Sequence, residues 1–328
     1  MKRKVLPFFA VLYLLLSAHV GFSQSKQNAN WCFGVHAGVN FNTTPPGNFW
    51  SAMVAYQNSI WHEGAGQASV SDDNGVLQFY TDGLTVWGAN HQVLPNGQNL
   101  YGYSELPGFQ KVVIVPKPRH PDTYYVFTLG MIYKRQVTSQ PPLGRGGIHY
   151  SVVSMASGAE QVTSIKNIAL KDHNGVPIDY ALDYNTSPAS PVYITEHTRM
   201  TTTLHGNGDK VWLIIMVDFD QNNAGTHNRY FYNYLITENG IMDGNGGVVP
   251  DGTSPGPKVA TVLNNADYPD RGEQYWGAMK ISPDGSLLGD AEEGQVNLYS
   301  YDRFSGATGT PPPPLHHIVY NPTNPHVT

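Results

Sequence analysis

Trp61, His62 and Glu63 bring an indole, an imidazole and a carboxylate together, and they are the first place where this sequence could do chemistry. The carboxylate of Glu63 could accept hydrogen bonds from a polar ligand or act as a general base. The alternative is a structural role, in which the carboxylate accepts hydrogen bonds from backbone N–H groups where strands converge. Asp82 and His91 are the other candidate polar contacts.

Three aspartates stand beside Gly or Asn in segments that are typical of turns. They are Asp72, Asp82 and Asp284, and Gly285 follows the last of them. A short carboxylate at such a position accepts hydrogen bonds from backbone N–H groups a residue or two onward, so we expect a structural role. If repeated units brought the three carboxylates to one face, they could instead surround a cation. No catalytic residue is assigned.

One stretch begins like a calcium-binding loop. Asp218, Asp220 and Asn222 place side-chain oxygens at positions one, three and five. The pattern then fails, because Asn223 stands at the sixth position, where glycine is needed, and Arg229 at the twelfth, where a bidentate glutamate is needed. A polar hairpin tip explains the same residues, and we predict no metal and no other cofactor.

The sequence gives little support for metal, thiol or phosphate-loop chemistry. The 13 histidines are mostly isolated, and the single cysteine, Cys32, can form neither an internal disulfide nor a paired zinc ligand. The glycines lie in hairpins rather than before helices, so no phosphate-binding loop is predicted. Cys32 stands between Trp31 and Phe33, so we expect a small buried residue there.

The aromatic residues allow two interpretations. Trp87, Trp212 and most tyrosines fall in strand patterns, where packing between sheets explains them. Trp50, Tyr56 and Trp61 lie in longer loops instead, where they could form a platform for sugar rings. Both interpretations stay open at this point.

The elements that must position these residues are strands and turns, since helical periodicity is nearly absent after the N-terminus. Short β-prone runs alternate with turns rich in Gly, Asn and Pro, as at residues 71–75 and 282–285. The same strand–turn–strand pattern begins near residues 67, 111, 200 and 277. Units of about 40–50 residues are typical of four-stranded propeller blades, whereas β-sandwich units run to about 100 residues. We therefore predict an all-β fold, a β-propeller whose countable strands fill about five blades.

The N-terminus predicts export. A basic start and an apolar run end in small residues before Gln24, which is the pattern of a cleaved signal peptide at residues 1–23. Cleavage removes three of the 19 basic residues and none of the 25 acidic ones, so the net charge falls from −6 to −9. Such a chain has no basic surface for nucleic acid or anionic membranes, and no later segment is long and apolar enough to span a bilayer. We expect a propeller domain at residues 24–306 and a Pro-rich tail at 307–328 that is truncated or disordered.

Several motifs in order resemble a known family. They are Trp31-Cys32-Phe33-Gly34, Phe79-Tyr80-Thr81-Asp82-Gly83, Val113-Ile114-Val115-Pro116-Lys117-Pro118, Tyr124-Tyr125-Val126-Phe127-Thr128 and Met279-Lys280-Ile281-Ser282-Pro283-Asp284-Gly285. Together they are similar to the N-terminal propeller of large exported Bacteroidetes proteins, which are often gliding-motility-associated and sorted by type IX secretion. The resemblance implies a propeller of WD40/YVTN-like type with about seven blades. We therefore expect about five to seven blades and a ring that is incomplete. It also implies a Glu-Gly pair at Glu63, and it supplies no catalytic residues.

Two functions follow as expectations. The first is a secreted or cell-surface recognition module that is not an enzyme and binds a protein or a glycan through loops on a rigid scaffold. The alternative is an extracellular hydrolase acting on glycans, which would need paired carboxylates about 5–9.5 Å apart in a cleft. Fold alone does not choose between them, because propellers serve both purposes. The sequence indicates no oligomeric state.

Overall fold

The structure is a computed structural model whose described residues form β-strands, turns and loops. It describes residues 26–33, 36–51, 67–102, 110–130, 146–180, 192–194, 198–221, 226–244, 246–263, 277–292, 295–309 and 316–319. None of these residues lies in a helix, so the all-β prediction is confirmed for them. Within the same ranges, no helix could cross a membrane.

Two three-stranded antiparallel sheets come first in the chain. The first has the order β1-β2-β3 and contains β1 (Asn30–Phe33), β2 (Ala37–Asn40) and β3 (Gly47–Trp50). The second has the order β4-β5-β6 and contains β4 (Ala68–Ser71), β5 (Leu77–Thr81) and β6 (Val86–Gly88).

The next two sheets are larger and also antiparallel. The third contains β7 (Val112–Pro116), β8 (Thr123–Gly130), β9 (Gly146–Ser154), β10 (Gln161–Val162), β11 (Ile168–Ala169) and β12 (Asp179–Tyr180), with the last three strands all paired to β9. The fourth contains β13 (Val192–Ile194), β14 (Arg199–Leu204), β15 (Val211–Gln221), β16 (Thr226–Thr237), β17 (Gly240–Met242), β18 (Val248–Val249) and β19 (Val259–Val262). Its centre is the long β15–β16 hairpin.

A fifth antiparallel sheet closes the described part of the chain. It contains β20 (Gly277–Ile281), β21 (Leu287–Glu292), β22 (Gln295–Asp302), β23 (Ala307–Thr308) and β24 (His316–Val319). Both β23 and β24 pair with β22. The domain boundary predicted at residue 306 therefore falls inside this sheet.

One strand of each sheet lies beside a strand of the next sheet. The neighbours in space are β1 and β4, β4 and β7, β7 and β14, and β14 and β20. The last four of these strands begin within a residue of the predicted repeat starts near 67, 111, 200 and 277. The spacing of the turns along the sequence thus identified one of these side-by-side strands in each of four sheets.

Four apolar layers fill the spaces between the five sheets in chain order. Cys32, Tyr80 and Trp87 lie between the first two sheets, and three larger clusters lie between the second and third, third and fourth, and fourth and fifth sheets. Strands β8 and β9 are buried along nearly their whole length, because other sheets cover both of their faces. Strand β20 instead alternates, with Met279 and Ile281 buried and Lys280 exposed between them.

Candidate functional site

Part of the predicted site lies outside the described residues. Trp61, His62 and Glu63 belong to this part, as do Tyr56 and Asn222. The predictions for these residues stay predictions.

The aspartates predicted at turns lie in turns and accept backbone hydrogen bonds there. Asp72 Oδ1 accepts from the N–H groups of Asn74 and Val76, both at 2.9 Å. Asp284 accepts from the Ser286 N–H at 3.1 Å and from the Ser282 and Ser286 hydroxyls, which hold its pKa down at about 2. Gly285 adopts a φ of 75°, which glycine tolerates best.

Asp82 also stabilises a turn, and it does so in a partly buried position. Its Oδ1 accepts hydrogen bonds from the N–H groups of Leu84 and Thr85, both at 2.8 Å. Burial raises the pKa of this carboxyl, and the two N–H donors oppose the rise. The carboxylate is committed to the backbone of its own turn, so the geometry favours the structural role over a ligand contact.

Asp218 lies inside β15, which corrects its interpretation as the first ligand of a calcium loop. Its cross-strand neighbour is Arg229, and the Arg229 Nε and Asp218 Oδ2 atoms are 3.1 Å apart in a buried ion pair. The Asp218 carboxylate is therefore engaged by a guanidinium within the hairpin, and the side chains of Asp220 and Asn222 lie outside the described part of the structure. No group of three or more potential metal-binding side chains occurs among the described residues.

Other described carboxylates are held by cations or by hydroxyl groups. Asp290 pairs with Arg199 between the fourth and fifth sheets, where both side chains are buried. Asp251 accepts from Lys117 Nζ at 2.7 Å and from the Tyr125 hydroxyl at 2.6 Å. Carboxylates engaged in this way are poor candidates for a general acid and base.

His91 is the one candidate contact that the structure places in a distinctive chemical environment. It has a φ of 62°, and its Nδ1 lies 2.9 Å from the Tyr80 hydroxyl, within hydrogen-bonding distance. Its ring meets the edge of Trp50 at 5.8 Å between centroids and stacks near Phe49 at 6.0 Å. Two residues that the sequence singled out for different reasons, His91 and Trp50, therefore lie together.

Trp50 belongs to an exposed surface on the first sheet. Pairing places Trp31 opposite Val39 on one side of the sheet and Ala37 opposite Trp50 on that same side. Phe41 continues the alternation of β2, and its ring contacts Trp31 at 5.0 Å. The exposed fractions are 50% for Trp31, 46% for Phe41 and 55% for Trp50. We call Trp31, Phe41 and Trp50 the aromatic face.

The other side of the first sheet explains why this face points to solvent. Cys32 and Phe49 lie on that side and pack against Tyr80 and Trp87 of the second sheet. Burial raises the pKa of the Cys32 thiol to about 12, so the thiol is protonated and unreactive at neutral pH, as the sequence suggested. One side of the first sheet is thus covered by the second sheet, and the aromatic face lies on the opposite side.

Aromatic neighbours fix the orientation of the two tryptophans. The His36 ring stacks on Trp50 at 4.8 Å with an angle of 13° between the planes. His36 is itself anchored, because its Nδ1 lies 2.8 Å from the Ser51 carbonyl oxygen. Trp31 meets Phe41 at an angle of 63°. Indoles held in this way lose little rotamer freedom when a ligand binds, which favours binding.

Sequence reasoning identified Trp50 as a possible platform residue but missed Trp31, Phe41 and His36. The available signal was the alternation in β2 and β3, where Phe41, Asn48 and Trp50 occupy the positions that face away from the core. The alternation is short, since each strand has four residues, and glycines interrupt it.

Comparisons with known proteins add little to this geometry. No family model matches the chain, and no curated protein matches it at a significant level. A crystal structure of a functionally unknown protein from Desulfotomaculum acetoxidans DSM 771 is similar over 75% of this chain and 68% of that chain, with 11% sequence identity and a TM-score of 0.25. A similarity at that TM-score carries no argument about fold or function, so the candidate site rests on its own residues.

Proposed function

We propose that this chain is an exported recognition module, not an enzyme, and that it binds a protein or glycan partner through the aromatic face. The observation that carries the proposal is the exposure of Trp31, Phe41 and Trp50 on one side of a sheet whose other side is packed. Large exposed aromatic groups on a rigid strand surface are typical of binding sites rather than of bare surface.

The scaffold in this proposal is an incomplete β-propeller. The side-by-side strands β1, β4, β7, β14 and β20 and the four apolar layers between consecutive sheets support an arrangement of successive blades. The first sheet is the first of the five described sheets along the chain. In an open ring its outer face, which carries Trp31 and Trp50, would not be covered by another blade.

Export is part of the same proposal. The basic and apolar N-terminus supports a signal peptide at residues 1–23, and the resemblance to exported Bacteroidetes propellers supports a place outside the cell or on its surface. The acidic chain would not be drawn to nucleic acid or to anionic lipid.

The test is a binding screen of the chain from residue 24 onward against arrays of glycans and surface proteins, run beside a broad hydrolase screen. We expect ligand capture that falls when Trp31 and Trp50 are replaced by alanine, and no turnover. Hydrolysis that disappears in Glu63→Gln, with thermal unfolding unchanged, would establish the hydrolase instead. Capture that is unaffected by the two tryptophan substitutions would place the binding site elsewhere.

A further inference from the structure

The strands that form the aromatic face contain no charged residue. From Gln27 to Trp61 the sequence contains no Asp, Glu, Lys or Arg, although it contains amides and aromatic residues throughout. All three strands of the first sheet lie inside this segment. A phosphate, a sulfate or an acidic peptide would find no cation on these strands, and a basic partner would find no carboxylate.

Uncharged polar groups are nevertheless present beside the tryptophans. Asn48 is exposed and lies on the same side of the sheet, in the row of Trp31 and two residues before Trp50. Its amide offers both a donor and an acceptor, as a hydroxyl-rich ligand requires. Apolar planes next to neutral hydrogen-bonding groups match a sugar ring, which has C–H groups on its faces and hydroxyl groups at its rim.

The spacing of the tryptophans indicates the length of the ligand. Trp31 and Trp50 lie on the two outer strands of the sheet and differ by one side-chain repeat along the strands. Two inter-strand steps and one repeat place their backbones about 12 Å apart. A chain of several sugars is needed to contact both indoles.

From these observations we infer that the aromatic face binds a neutral oligosaccharide, with sugar rings stacked on Trp31 and Trp50 and hydroxyl groups bonded to Asn48. The inference rests on the proposed function, because it names the ligand class of the same site. The rigid stacking of His36 on Trp50 presents the indole in a fixed orientation, as a stacking surface requires.

Isothermal titration calorimetry tests the inference with defined probes. The neutral probes are hexasaccharides of β-1,4-glucose, β-1,3-glucose, β-1,4-xylose and β-1,4-mannose, and the charged probes are polygalacturonate and a sulfated glycan. We expect at least one neutral hexasaccharide to bind, the charged probes not to bind, and Trp31→Ala and Trp50→Ala each to weaken binding about tenfold or more. Asn48→Ala should weaken binding by a smaller factor.

Phe304→Ala is the matched control, because Phe304 is 58% exposed but lies beyond β22 in the fifth sheet. Its affinity should equal that of the unaltered chain. Trp50→Tyr keeps an aromatic plane and should retain more affinity than Trp50→Ala, which separates loss of stacking from loss of folding.

Three outcomes overturn the inference, and they differ in what they leave standing. In the first, no neutral hexasaccharide binds, but a protein from the array binds the unaltered chain and does not bind Trp31→Ala or Trp50→Ala. The proposed recognition function would then stand, and the assignment of a glycan ligand would be wrong. In the second, the binding of neither glycans nor proteins depends on Trp31 and Trp50, and both the proposed recognition function of the aromatic face and its glycan ligand would be wrong. In the third, neutral and charged glycans bind equally well, which contradicts the inference because the strands of the aromatic face carry no charge that would favour a charged ligand.

Discussion

Trp50→Ala and Trp212→Ala make the same chemical change at two different places. Trp50 lies on the exposed aromatic face, whereas Trp212 is packed between two sheets. Trp212 is 1% exposed and lies in the layer between the fourth and fifth sheets, where its Nε1 donates to the Arg303 carbonyl at 2.8 Å. Trp50 is 55% exposed. The two substitutions should therefore have different effects on the free energy of unfolding.

The magnitudes follow from the hidden area. Removal of a fully buried large aromatic side chain lowers the free energy of unfolding by about 3–5 kcal/mol, because it leaves a cavity, and we expect this for Trp212→Ala. Just under half of the surface of Trp50 is buried. Trp50→Ala should therefore lower the free energy of unfolding by about 1–2 kcal/mol, once the area buried by alanine and in the unfolded chain is subtracted.

Urea unfolding of the two variants, with a shared slope, measures the difference. A loss of 3 kcal/mol or more in Trp50→Ala would refute the assignment of an open face, because it would mean that the indole is enclosed by other parts of the protein. Trp31→Ala should behave like Trp50→Ala, since the exposed fraction of Trp31 is 50%.

Two further predictions concern the scaffold. Asp290→Ala should lower the free energy of unfolding by about 3–5 kcal/mol, because it leaves the buried guanidinium of Arg199 without this carboxylate. The control is Asp209→Ala at the more exposed pair with Lys210, which should change the free energy of unfolding by about 0–1 kcal/mol. Equal effects of the two substitutions in urea unfolding would contradict the buried pairing. Asp284 has a folded pKa of about 2, below its ordinary 3.8, so its stabilising contribution is complete above the ordinary value and is lost as the pH falls through 3.8 toward 2. An NMR titration of the Asp284 carboxyl carbon checks this, and a midpoint near 3.8 would show that the hydroxyl contacts do not form.

Local turn chemistry made much of the fold predictable from the sequence. An Asp-x-Asn-Gly run forces a particular turn, because the carboxylate accepts from N–H groups two and four residues onward while Gly takes a positive φ, as at Asp72 and Gly75. Asp172 and Gly175 repeat this geometry, with hydrogen bonds of 2.8 Å to Asn174 and Val176. Such signals need only neighbours in sequence, so strand positions and repeat starts followed from them.

Pairing between distant residues could not be predicted in the same way. Asp218 looked like a loop ligand because its partner, Arg229, depends on the register of the β15–β16 hairpin, and a shift of one residue would reverse which side of the sheet it occupies. The aromatic face depends on the same kind of information. Trp31 and Trp50 share one side of the first sheet only through the pairing of β1 and β3 with β2.

Fluorine NMR of the chain labelled with 5-fluorotryptophan tests the central claim most directly, because each tryptophan reports on its own surroundings. On addition of the hexasaccharide that binds in calorimetry, the resonances of Trp31 and Trp50 should shift in a saturable manner, while those of Trp87 and Trp212, which lie in the apolar layers, should not. Saturable ligand binding that leaves Trp31 and Trp50 unshifted would contradict the account.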